Sequence, residues 1–275
     1  MPRWNGWAGT PHNIPTASWR NSCVASCGTS KPPIHCPEAK AIGARAGPLQ
    51  HVSSGPTMTA LILTGYDAIV QRLRGMGEYV PRLVMRLVMG WEFFEAGLEK
   101  FRGENWFAGI QGDFPVPFNL VPASVSWTMA TWFELVGAIA LWLGLATRFF
   151  AFSLLFLTFV ATAAVHWPDM WDMWGDLLKG YAISDQGHGN YKLPLLFVVM
   201  LIPLVFNGPG KLSLDHLIRM ALKRPEPAMR MDGHALGLGL AVLGLPMLML
   251  IPTLGGALLL VGALAAGWAW RRTAR

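Results

Sequence analysis

The sequence predicts an all-α protein, a polytopic transmembrane helical bundle with a four-helix core followed by a C-terminal two-helix hairpin. Three observations carry this reading. Of 275 residues, 53% are apolar and 14% charged, against about 25% charged in soluble domains. The apolar residues gather into runs near the ~17–25 residues that a spanning helix needs. Thirteen Trp and thirty Gly fit the same class, since Trp favours the lipid–water interface and membrane helices tolerate Gly. The net charge of +6 does not point to a nucleic-acid partner, because five Lys/Arg against one acid lie within residues 1–57.

That first segment, residues 1–57, reads as a disordered tail or an over-extended start ahead of Met58. It holds all three cysteines, Cys23, Cys27 and Cys36. With His35 they could form a metal site, but their spacing matches no common zinc pattern. Residues 58–78 place Ile62, Tyr66, Ile69, Val70 and Leu73 at helical spacing among polar residues, which predicts a helix lying on the inner membrane surface. Residues 79–216 hold four spans, at 80–98, 127–147, 149–165 and 191–207. Residues 217–275 form a cytoplasmic linker and a hairpin, with runs 236–251 and 254–270 turning at 252–256. Glycines at Gly233, Gly237, Gly239, Gly255 and Gly256 permit close helix approach there.

Charge placement supplies the topology. Arg72, Arg74 and Arg82 precede the first span, and Arg148 sits in the turn between the second and third. Lys211, Arg219, Lys223, Arg224 and Arg230 follow the fourth, and Arg271, Arg272 and Arg275 end the chain. The alternate loops are acidic or neutral. The positive-inside rule then puts both termini in the cytoplasm.

The candidate chemistry lies in the spans. A charged side chain in hydrocarbon costs ~2.5–3.5 kcal/mol or more, so intramembrane acids are site candidates by default. Glu92, Glu95 and Glu99 share a helical face by their i, i+3, i+7 spacing. Glu134 falls at similar depth on the next span. Glu92, Glu95 and Glu134 are therefore the expected proton- or ligand-binding set, with Arg86, Lys100 and Arg148 balancing charge. The competing reading is a structural network inside the bundle. If a helix begins at Pro168, His166, Met170 and Met173 share a face, and imidazole with thioethers favours copper. The same stretch also reads as an ordinary aromatic belt, with Trp167, Trp171 and Trp174. Trp106, Phe107 and the run Phe114-Pro115-Val116-Pro117-Phe118 read as an interfacial loop anchored by aromatics, or as a flap over the outer mouth. The chain has no Walker loop, dinucleotide fingerprint, haem-attachment motif or zinc-protease motif.

The order Arg86-x-x-x-Gly90, Phe93-Phe94, Gly97, Lys100, then Glu134-x-x-Gly137, Leu143-Gly144-Leu145-Ala146-Thr147-Arg148, a span ending in His166, and Gly208-Pro209-Gly210-Lys211-Leu212-Ser213-Leu214-Asp215 resembles the DoxX family. The resemblance covers about residues 80–216. Trp91-Glu92-Phe93-Phe94-Glu95, Gly103-Glu104-Asn105-Trp106-Phe107, the Phe114–Phe118 run and Val165-His166-Trp167-Pro168 look most like its HvfX-type subgroup, associated with maturation of copper-binding peptides. The resemblance implies a bacterial inner-membrane protein acting with partner proteins in a membrane complex. It would serve as an accessory redox or copper-homeostasis component, or as a quinone-reactive subunit of a sulfur or thiol oxidoreductase. A non-enzymatic membrane anchor is the third reading. Copper and quinone are the cofactors these readings imply.

Overall fold

The computed structural model describes residues 57–273 apart from Asp169 and Asp172, and among these it is helical without strands. The tail with Cys23, Cys27, His35 and Cys36 lies outside the described residues. The helices are α1 (Met58–Gly77), α2 (Val80–Arg102), α3 (Ala123–Leu143), α4 (Thr147–Ala161), α5 (Trp174–Lys179), α6 (Lys192–Asn207), α7 (Leu214–Ala221), α8 (Gly233–Leu250) and α9 (Pro252–Thr273). Four stretches are long and apolar enough to cross a membrane: Ala123–Leu143, Thr147–His166, Gly233–Leu250 and Pro252–Arg272. Helix α2 has the length, 23 residues, but carries charges along it, and α6 is apolar with only 16 residues.

Helices α2, α3, α4 and α6 close a ring, each packed on its neighbours, with α8 against α4 and α9 against α8. Met89, Phe93, Leu141, Leu154, Leu201 and Leu204 fill the ring centre. The α2–α3 contact rests on glycine. A Cβ on Gly90 would lie 2.5 Å from the Trp142 ring, and one on Gly97 would lie 2.9 Å from Leu135 Cγ. Small residues let backbones approach where lipid offers no hydrophobic drive to associate. The same logic joins α8 to α9, where Gly233 faces Ala265 and Ala269, and Gly237 faces Gly262 and Ala266. This hairpin is tighter than the sequence suggests. Pro252 opens α9 rather than occupying a turn, as suits a residue whose missing N–H is no loss in a first helical turn.

The ends of three core helices are tied together by charged side chains. Arg86 is 1% exposed. It donates from Nε to the Leu141 carbonyl at 2.8 Å and from Nη2 to Trp142 at 3.1 Å, and from Nη1 to Pro209 and Leu212, each at 2.8 Å. Two of these carbonyls lie in the last turn of α3, where Leu141 also accepts from the Gly144 N–H. Asp215 answers at the N-terminus of α4, accepting from the Ala146 and Thr147 N–H groups at 2.8 and 3.0 Å. Arg148 Nη1 donates to Val205 and Phe206 at the end of α6, at 2.9 and 2.6 Å. Gly144, at φ +66°, lets α3 stop and the chain turn into α4. A Cβ there would come within 2.5 Å of Ser213 and 2.8 Å of Arg86.

Hydrogen bonds to charged groups contribute about 1.5–3 kcal/mol each, and orphaned buried acceptors add their own cost. Arg86→Met is therefore expected to destabilise the bundle by at least about 3 kcal/mol. Gly144→Ala is expected to unfold it at lower temperature as well. Thermal unfolding of the purified protein in detergent measures both.

Candidate functional site

A cavity of about 770 Å³ runs between α3, α4 and the 103–122 loop, from Phe149 near one end of α4 to His166 at the other. Its wall is dominated by aromatic rings, among them Phe118, Phe133, Phe152 and Phe156. The 103–122 segment forms its roof. Short 3-10 turns at Trp106–Gly109, Gln111–Asp113 and Phe118–Leu120 fold Phe107 and Phe114 inward. Both are 7% exposed. Phe107 stacks edge-on with Trp127 at 5.0 Å and tilts against Phe114 at 5.0 Å. Trp106, Met129, Phe149 and Val165 remain exposed at the rim, so the cavity opens on the apolar flank of the bundle.

One polar pair interrupts this wall. Lys100 Nζ donates to Glu134 Oε1 at 3.0 Å, and Oε2 lies 2.9 Å from the same nitrogen. The side chains are 17% and 8% exposed. Glu134 Oε2 nonetheless receives no hydrogen bond, nor does Ser126 Oγ elsewhere on the wall. These are two of the four buried side-chain atoms without a hydrogen-bond partner among the described residues. Buried polar atoms are ordinarily satisfied, so Ser126 Oγ offers unused polar capacity in an apolar setting, while Glu134 Oε2 keeps its ion-pair contact with Lys100.

His166 closes the far end. Residues Thr162–His166 form a π turn, a widened last turn of α4, with the Trp167 N–H returning to Thr162 at 2.8 Å. Such turns re-aim side chains and recur at functional sites. The ring is held from outside the cavity, with His166 Nδ1 lying 2.8 Å from Asn190 Oδ1. Asn190 Nδ2 donates to the Ile183 carbonyl, which turns the amide oxygen toward the ring. Facing that oxygen, Nδ1 acts as the donor, and Nε2 is left without a protein partner among the hydrogen bonds of the described residues. Gly189, at φ +78°, allows this approach, since a Cβ there would lie 2.6 Å from the His166 carbonyl.

The structure brings Glu134, Lys100 and His166 to one cavity and leaves the other expected residues out. Glu92 and Glu95 do share a face, but it is the wrong one. Helix α2 turns Arg86, Met89, Gly90, Phe93 and Gly97 inward. That leaves Glu92 half-buried and Glu95 and Glu99 exposed on the opposite side. The glycines decide this orientation, because only their face permits contact with α3. The copper set is not assembled either. No helix starts at Pro168, α5 begins only at Trp174, and Met170 and Met173 are exposed. Among the described residues no group of three His, Cys, Asp or Glu is placed to hold a metal. Arg86 and Arg148 are bonded to carbonyls, and of the three expected charge-balancing residues Lys100 is the one that pairs with a carboxylate of the site. Ser126 and Asn190 were not anticipated. Asn190 lies 24 residues from its partner, and neither carries a local sequence signal.

Removing one member of a buried ion pair typically costs about 3–5 kcal/mol. Lys100→Met is expected to lose stability on that scale, and Lys100→Met with Glu134→Leu to recover most of it. A double-mutant cycle by thermal unfolding measures the coupling.

The DoxX family pattern matches residues 82–167, the stretch from Arg82 to Trp167 that contains the ion pair and His166. An uncharacterized protein of Haemophilus influenzae is 45% identical over 148 residues, 54% of this chain and 89% of the relative. No solved structure matches. With this family domain and so nearly complete a match to the relative, the chain belongs to the DoxX family of membrane proteins.

Proposed function

We propose that this protein binds a quinone-class ligand in the aromatic cavity and serves as the quinone-reactive membrane subunit of an oxidoreductase. The carrying observation is a long apolar cavity, open on the flank of the bundle, with the buried Lys100–Glu134 pair and an unpartnered hydroxyl at Ser126 on its wall. A prenylated quinone has that composition, a small polar head on an apolar tail. Lys100 and His166 are the residues that would hold the head, and Phe118, Phe133, Phe152 and Phe156 the tail. Reduction of a quinone to a quinol takes up two electrons and two protons. Lys100, Glu134 and His166 are ionisable groups on the wall that can pass protons by hydrogen bonding, and a partner enzyme supplies the electrons. Exposed Glu95, beside half-buried Glu92, supports such a partner, since a carboxylate turned from the bundle within the span is costly against lipid, at ~2.5–3.5 kcal/mol.

The setting follows from charge. Arg82, Arg148, Lys211, Arg219, Arg271 and Arg272 gather at one end of the bundle, which supports a bacterial inner-membrane location with both termini cytoplasmic and the His166 end outside. Copper handling, as in the HvfX-type subgroup, is a second reading, favoured by one feature. Asn190 holds Nδ1 of His166 and frees Nε2, the arrangement usual for a metal-ligating histidine.

Quinone titration of the purified protein in nanodiscs tests the first reading. A ubiquinone or menaquinone analogue is expected to bind, and Ser153→Trp, which narrows the cavity from its wall, to weaken binding at least about tenfold with the unfolding temperature preserved. Absence of quinone binding, with Cu(I) binding that His166→Ala abolishes, would transfer support to the copper reading.

A further inference from the structure

At the opposite end of the bundle a second cavity of about 770 Å³ opens between α2, α4, α6, α7 and the segment after α7. Its walls carry Arg82, Arg148, Lys211 and Arg219, with Glu78, Asp215 and Glu226. Two of the carboxylates are already engaged, and the third is largely exposed. Glu78 pairs with Arg82 at 3.2 Å, both Asp215 oxygens cap α4, and Glu226 lies 3.8 Å from His216 Nδ1. Among the described residues, Arg148, Lys211 and Arg219 form no ion pair with a carboxylate. Arg148 spends Nη1 on two neutral carbonyls, and Lys211 Nζ sits 5.5 Å from the centre of the Tyr79 ring. Arg82 and Arg219 act on Arg148 as like charges, and Asp215 as an opposite one. With four cations against three carboxylates on its walls, the concave space carries a positive excess that favours an anion.

The surroundings say what carries that anion. Phe149, Phe206 and Met229 give the cavity apolar wall beside its cations. Helix α7 borders it with Leu217 and Ile218 exposed, the character of a helix lying in the headgroup region. We infer that this cavity binds the headgroup of an anionic phospholipid, with Arg148, Lys211 and Arg219 as the partners of its phosphate. Guanidinium and ammonium groups form charge-assisted hydrogen bonds with phosphate oxygens, and the acyl chains have exposed apolar flank to lie on.

The test uses the full chain purified in uncharged detergent, exposed in turn to phosphatidylglycerol, phosphatidylcholine and inorganic phosphate. Native mass spectrometry reads retention, and thermal unfolding reads protection. Phosphatidylglycerol is expected to be retained and to raise the unfolding temperature, with phosphatidylcholine and inorganic phosphate doing neither. Each cation near an anionic headgroup is worth about fivefold in affinity. Lys211→Gln with Arg219→Gln is thus expected to lower phosphatidylglycerol retention about 25-fold. Neither side chain belongs to the hydrogen bonds that tie the helix ends, so the lipid-free variant should unfold as the parent does. Equal retention of the two lipids, or undiminished retention by the double variant, overturns the inference. Protection by inorganic phosphate matching that of phosphatidylglycerol overturns it too, by assigning the site to a free anion.

Discussion

Helix termini leave carbonyl and amide groups without intrahelical partners, and satisfying them organises one end of the core. Arg86 reaches from the second turn of α2 to carbonyls in the last turn of α3 and to the segment that follows α6. Asp215, from that segment, returns to the N-terminus of α4. Arg148 does for α6 what Arg86 does for α3. Each charge faces backbone dipoles of the complementary sign, positive side chains at C-termini and a carboxylate at an N-terminus. The motif pieces around Gly144 and Gly208–Asp215, far apart in the chain, are thus two halves of one knot.

The helix ends are fixed at the basic end, and beyond it the 103–122 loop closes the space between α3 and α4 with Phe107 and Phe114. The Lys100–Glu134 pair then sits where Gly97 brings α2 against α3. A buried pair of this kind contributes little net stability when intact. It sets a charged pair in an otherwise aromatic wall, on which Ser126 also lacks a hydrogen-bond partner.

The two ends of the bundle divide the labour by charge. One holds arginines and lysines around a polar cavity, and the other holds aromatic rings, His166 and the loop that orients it. Two sites facing different membrane depths suit a protein that keeps a hydrophobic ligand in one region and anchors to lipid in another.

The sequence by itself determined the helices, their order and the alternation of basic and neutral connections, because hydrocarbon imposes length and apolarity on every span regardless of its neighbours. Helix bounds match the apolar runs to within a few residues, and the charged α2 was legible from its spacing despite its low hydropathy. The shared face of Glu92 and Glu95 was legible as well, but which way that face points was not. Periodicity defines a stripe, and only packing decides whether the stripe meets lipid or the core. Gly90 and Gly97 settled that question by admitting α3 on their side. Arg86 read as a counter-ion because backbone carbonyls leave no mark in a sequence, and the His166–Asn190 contact depends on a loop closing across 24 residues. Local pattern specifies what each helix is, and contacts between distant segments specify which of its residues share a site.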